Sequence, residues 1–132
     1  MDKIEHLGIA VADLEEAVLR YEKLFATTCY KREVVESQGV ETAFFMIGPN
    51  KIELLGATNE ESPVAKFISK RGEGIHHTAF AVSDIKAEMA RLSKEGFRLL
   101  MEQPVKGADN KLICFLHPKD ANGTLIELCQ EI

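Results

Sequence analysis

Nine residues near the start of this chain return in its middle. His6-Leu7-Gly8-Ile9-Ala10-Val11-Ala12-Asp13-Leu14 lies over His77-Thr78-Ala79-Phe80-Ala81-Val82-Ser83-Asp84-Ile85 at an offset of 71 (77 − 6). His, Ala, Val and Asp coincide, and Leu14 meets Ile85. A second echo sets Ile52-Glu53-Leu54 on Ile126-Glu127-Leu128 at an offset of 74 (127 − 53). The second copy therefore holds three more residues before its last strand. Two copies of one supersecondary unit, each too small to close a core alone, are expected to pair.

The elements around the repeat follow from local patterning. In the first copy, Ile4 to Val11 reads as a strand. Asp13 caps a helix, with Glu16 completing a capping box. That helix repeats Leu14, Ala17, Val18, Tyr21, Leu24 and Phe25 at helical spacing. Strands are expected at Cys29–Val35, Glu41–Ile47 and Lys51–Leu55, with turns at Ser37-Gln38-Gly39 and Gly48-Pro49-Asn50. Ser62-Pro63 opens a connecting helix over 62–71, with Val64, Phe67 and Ile68 inward. Arg71 to Gly74 reads as a linker. The second copy then gives a strand at Ile75–Val82 and an Asp84-capped helix on Ile85, Met89 and Leu92, stopped by Gly96. Strands follow at Phe97–Met101, Leu112–Leu116 and Thr124–Cys129, with a loop at Lys106–Asn110 and a turn at Pro118–Gly123. The order is βαβββ twice. The expected class is α+β: a single domain over 1–132, with module one at about 1–57 and module two at about 75–132.

The repeat selects four polar residues, His6, Glu53, His77 and Glu127, each inside an apolar strand. Successive strand residues point to opposite faces. Glu53 and Glu127 therefore oppose their flanking Ile and Leu. His6 shares a face with Gly8 and Ala10, and His77 with Ala79 and Ala81. Each sheet should have a bulky face for its helix and a small-residue face that leaves room for these side chains. By the same rule His76 points away from His77, toward packing on the back of the sheet. A lone strand histidine is ordinarily a core or surface residue, and a strand glutamate can be solvated. Four such groups recurring in register point instead to one divalent metal. A mixed nitrogen and oxygen set suits Co²⁺, Ni²⁺, Mn²⁺ or Zn²⁺, and octahedral geometry would leave two positions for water or substrate.

A net charge of −5 with no basic stripe argues against a nucleic-acid partner. No run approaches the roughly 18 apolar residues of a membrane helix. The opening MDKIEHLGIAVADLEE carries acidic residues inside its apolar stretch, unlike a signal peptide. Three cysteines, Cys29, Cys114 and Cys129, lack metal-like spacing and fit a reduced, cytoplasmic setting.

The stretches HLGIAVADLEEA, IELLGATNEESPVAKF, GEGIHHTAFAV, FLHPKDANG and LIEL run from Ile4 to Leu128. Together they resemble the vicinal oxygen chelate (glyoxalase/bleomycin resistance) superfamily, whose paired βαβββ modules form a curved mixed sheet around a metal site. Within it they are most similar to the methylmalonyl-CoA epimerases. The first stretch is superfamily-wide; ESPVAKF, GEGIHH and FLHPKD are more specific to the epimerases.

The resemblance implies metal ligands at His6, Glu53, His77 and Glu127, the set the repeat selects. It implies a homodimer, an acyl-CoA substrate, and a metal that in the family can be cobalt. It also implies interconversion of (R)- and (S)-methylmalonyl-CoA at C2 by proton abstraction and return through a metal-stabilised enolate. Some bacterial epimerases carry a glutamate, proposed as a base, after the QGV turn. That position is Thr42 here, a weak candidate for substrate contact, and Glu41 should face the other way. The natural acid/base candidates are then Glu127 and Glu53, with Glu127 preferred. Lys119 and Lys111 could meet phosphates or a carboxylate, although turn lysines are usually solvated. His117, beside Pro118, reads as structural, and Asp13 and Asp84 as caps.

The alternative is glyoxalase I, acting on a glutathione hemithioacetal with the same His/Glu/His/Glu ligands. Only ESPVAKF and FLHPKD favour the epimerase over it. Bleomycin-binding modules generally lack the quartet, and ring-cleaving dioxygenases use two His and one Glu on iron.

Overall fold

Side chains that cap helices mark where each helix starts. In a computed structural model that describes Met1–Ile132, Asp13 accepts the Glu16 amide at 3.1 Å at the head of α1 (Leu14–Phe25). Asp84 accepts the Ala87 amide at 3.0 Å for α3 (Ile85–Lys94). The Ser62 hydroxyl accepts from Val64 at 3.1 Å for α2 (Pro63–Arg71), whose first residue is the expected proline. Each such cap satisfies an amide that the helix itself cannot, at about 1 kcal/mol.

The chain forms two compact units, one of His6–His76 and one of Met1–Glu5 with His77–Ile132. In the first unit, β2 (Lys31–Val35), β3 (Val40–Ile47) and β4 (Asn50–Ala57) run antiparallel in that order. β4 then pairs in parallel with His6–Ala10 of β1 (Lys3–Ala10). Leu14, Ala17 and Val18 of α1 pack on Val11, Ala43, Phe45 and Leu54. Burying side chains such as Phe45 and Leu54, both at 0% exposure, stabilises the unit by roughly 2 kcal/mol each. Leu24 departs from its expected inward place and is 67% exposed. At 3.6 residues per turn it lies about 80° from the Leu14–Val18–Tyr21–Phe25 stripe.

The opposite face of this sheet is not uniformly open. Val64, Phe67 and Ile68 of α2 pack there on Ala10, Val40 and Leu55. Helix α2 therefore closes one end of the small-residue face. Gly39, in the QGV turn, makes the approach possible. Its φ is +65°, and a Cβ there would lie 3.0 Å from the Ser62 Cβ. His76 packs against Phe67 of α2, with ring centroids 4.9 Å apart and an edge-to-face geometry. Burial lowers the pKa of its imidazole.

In the second unit, β5 (Gly74–Ala81) pairs in parallel through Thr78–Ala81 with β8 (Ile126–Glu131). β7 (Lys111–Leu116) runs antiparallel to β8, and β6 (Val105–Lys106) antiparallel to β7. Ile85, Met89 and Leu92 of α3 pack on Val82, Cys114, Leu116 and Leu128. The Asp2 amide, bonded to the Ala81 carbonyl at 2.8 Å, fastens the first residues to this unit. The strand expected over Phe97–Met101 is absent. Its apolar alternation is real, since Phe97, Leu99 and Met101 pack on the α3 cluster, but only Leu99 forms a bridge, with Leu116. The strand comes later, at Val105–Lys106, inside the expected loop boundary and just after Pro104, which has no amide to donate. No helix is long and apolar enough to cross a membrane.

Candidate functional site

The two units place the selected residues in the same way. In the first, the β1–β4 register sets Glu53 directly opposite Gly8, two residues beyond His6. In the second, the β5–β8 register sets Glu127 directly opposite Ala79, two residues beyond His77. On the other side of each glutamate stands a phenylalanine, Phe44 for Glu53 and Phe115 for Glu127. Each carboxylate thus lies between a residue with almost no side chain and an aromatic ring. The small residue leaves space above the sheet; the ring walls it.

Within each unit the histidine and the glutamate meet. His6 Nε2 lies 3.8 Å from Glu53 Oε2, and His77 Nε2 lies 3.2 Å from Glu127 Oε2. None of the four side chains is more than 7% exposed. Phe115 presses edge-on against His77 at 5.7 Å and 88°, which fixes the imidazole plane. Burying a carboxylate is costly unless a cation or donors compensate it. The donor atoms fit a metal: two ligands at about 2.1 Å and a right angle lie about 3 Å apart, close to both observed separations. Each pair could supply one imidazole and one carboxylate to a divalent ion.

The remaining candidates divide. Thr42 is on the same sheet face as Glu53 but is 1% exposed, and its hydroxyl donates to the Glu33 carbonyl at 3.3 Å. Glu41 points to the α1 side, as expected, where its carboxylate accepts from Arg32 Nε at 3.2 Å while Arg32 Nη1 also donates to Glu15 at 3.0 Å. Lys119 is exposed on a short 3-10 turn over Pro118–Ala121. His117 caps that turn, its Nδ1 accepting the Lys119 amide at 3.2 Å. Asp120 in the same turn grips Arg98, accepting from its Nε at 3.0 Å and its Nη2 at 2.8 Å. These bonds hold the Asp120 carboxyl down at about 2. The HPKD stretch therefore has a structural task before any other. Lys111 is 7% exposed and pairs with Glu131 at 3.3 Å.

Sequence reasoning missed Phe44 and Phe115. The signal was present: both are the middle residue of an apolar strand triplet, Ala43-Phe44-Phe45 and Cys114-Phe115-Leu116, and their offset of 71 (115 − 44) equals that of the histidines.

Residues 5–115 match the sequence model of the glyoxalase/bleomycin resistance protein/dioxygenase superfamily. The ethylmalonyl-CoA/methylmalonyl-CoA epimerase of Cereibacter sphaeroides is 40% identical over 130 residues, covering 97% of each chain. The mitochondrial methylmalonyl-CoA epimerase of Homo sapiens is 36% identical, covering 98% of this chain and 74% of its own. This chain belongs to the methylmalonyl-CoA epimerase family of that superfamily. Its fold agrees. The crystal structure of the Streptomyces coelicolor epimerase in complex with 2-nitronate-propionyl-CoA superposes with a TM-score of 0.95 at 38% identity, covering 99% of this chain and 98% of that one. In this family member the βαβββ repeat, the two His–Glu pairs and the flanking phenylalanines are the duplicated part. Helix α2, β6 and the Asp120–Arg98 clasp are not.

Proposed function

We propose that this chain interconverts (R)- and (S)-methylmalonyl-CoA at C2, with His6, Glu53, His77 and Glu127 holding one divalent ion. The observation that supports it most is the duplicated pair: a buried imidazole and carboxylate, twice, each beside a residue small enough to leave room. The family relatives named as epimerases of methylmalonyl-CoA supply the substrate class.

The chemistry sets what the residues must do. The C2 proton is acidified chiefly by the thioester carbonyl, and its removal leaves an enolate. The bound ion, Co²⁺, Ni²⁺, Mn²⁺ or Zn²⁺, would act as a Lewis acid and template for the thioester and carboxylate oxygens. His6 and His77 hold their rings in place through buried strand positions, and Phe115 restrains His77. Glu53 and Glu127 flank the substrate, and Glu127 moves the C2 proton. Lys119, exposed beside the His117 cap, meets a phosphate of the CoA tail; Thr42 lines the acyl side.

The protein works as a single-domain homodimer in the cytoplasm. Its three cysteines are free, in keeping with a reducing compartment. A dimer would cover the sheet edges that β2 and β6 otherwise present.

Two incubations test this reading. Metal-loaded protein is mixed with methylmalonyl-CoA in D₂O, and separately with methylglyoxal and glutathione. C2 deuteration without new thioester from the second mixture is expected. Thioester formation without C2 deuteration would assign glyoxalase I chemistry instead.

A further inference from the structure

We propose that Glu33 exchanges the proton on the side of C2 that Glu127 does not serve, an inference that rests on the epimerase reading above. Inversion at C2 removes a proton from one face and returns one to the other, so two exchanging groups are needed. The sheet register of the first unit identifies the second. Glu53 pairs with Phe44, and Phe44 with Lys31. Thr42 pairs with Glu33. Alternation then puts Lys31, Glu33, Thr42, Phe44 and Glu53 on one face.

Only two carboxylates of the strands lie on that face. Glu53 is engaged with His6. Glu33 stands half-buried at the outer strand, its carboxylate 3.5 Å from the Lys31 ammonium, with 31% of its side chain exposed. Lys31 in turn lies 6.0 Å from the Phe44 ring, the same ring that flanks Glu53. Glu41 is spent on the other face with Arg32. The Thr42 hydroxyl, committed to the Glu33 carbonyl, does not titrate near neutrality. Two strands separate Glu33 from Glu53, about 10 Å at 4.8 Å per strand, room for an acyl group between them.

The step balances without a further reagent. A Glu33 carboxylate oxygen takes the C2 proton as the C–H electron pair moves into the enolate. The enolate then takes a proton from the Glu127 side, and the new C–H bond has the opposite configuration. In the reverse direction protonated Glu33 returns the proton.

The test uses divalent-ion-loaded protein, each methylmalonyl-CoA epimer separately, and D₂O. Glu33→Gln should lose epimerisation by about 100-fold or more. One epimer should still exchange its C2 proton at close to the wild-type rate, a split that a merely structural role would not produce. Adding Thr42→Glu to Glu33→Gln puts a carboxylate on the adjacent strand at the same register and should restore about tenfold or more. Epimerisation by Glu33→Gln at the wild-type rate would overturn the assignment, as would equal loss of exchange for both epimers. A wild type that exchanges neither epimer would contradict the epimerase reading itself.

Discussion

Glu127 stands directly opposite Ala79 in the parallel β5–β8 ladder, and Ala79 is 0% exposed. The alanine is what keeps the space in front of the carboxylate free. Ala79→Val should overpack this position, destabilising the fold by about 1–3 kcal/mol. Divalent-ion affinity, read by calorimetry at a temperature where the variant is folded, should fall with it. Ala81→Val, at a partly exposed position on the same strand, should bind the ion as the wild type does.

The adjacent histidines should separate cleanly by substitution. His77→Ala removes a metal donor and should give protein that retains little divalent ion after desalting, as counted by elemental analysis. His76→Ala should retain the ion. Its cost is the edge-to-face contact with Phe67, about 1 kcal/mol of stability in a denaturant melt.

The Arg98–Asp120 clasp makes a pH prediction. Asp120 titrates at about 2 in the folded chain, below its ordinary value near 3.9. A depressed carboxyl contributes stability that is present above the unfolded value and lost as pH falls from there through about 2. Following the side-chain carboxyl by NMR should show that low midpoint, and Arg98→Gln should move it back toward about 4.

Much of this was legible in the chain because the repeat compares strands with strands. It placed His6, Glu53, His77 and Glu127 on matching faces, and the structure gives both pairs the same register. The helix starts were legible because Asp13, Ser62 and Asp84 carry their own hydrogen bonds. What was hidden depends on distant partners. Phe97–Met101 has a strand's alternation, yet packing against α3 satisfies it without a ladder. Helix α2 shows an apolar face in sequence, but not that the face would land on Ala10 and Leu55. Glu33 gains its place only through pairing with Thr42, which no local pattern encodes.

Epimerisation of methylmalonyl-CoA by Glu127→Gln, measured beside the wild type with a saturating divalent ion, bears most directly on the role of the duplicated pairs. The substitution keeps the side chain's shape while removing both the charge that ligates and the group that moves the proton. The rate should fall by about 100-fold or more, and the melting profile should stay near that of the wild type. Epimerisation at the wild-type rate would contradict the assignment.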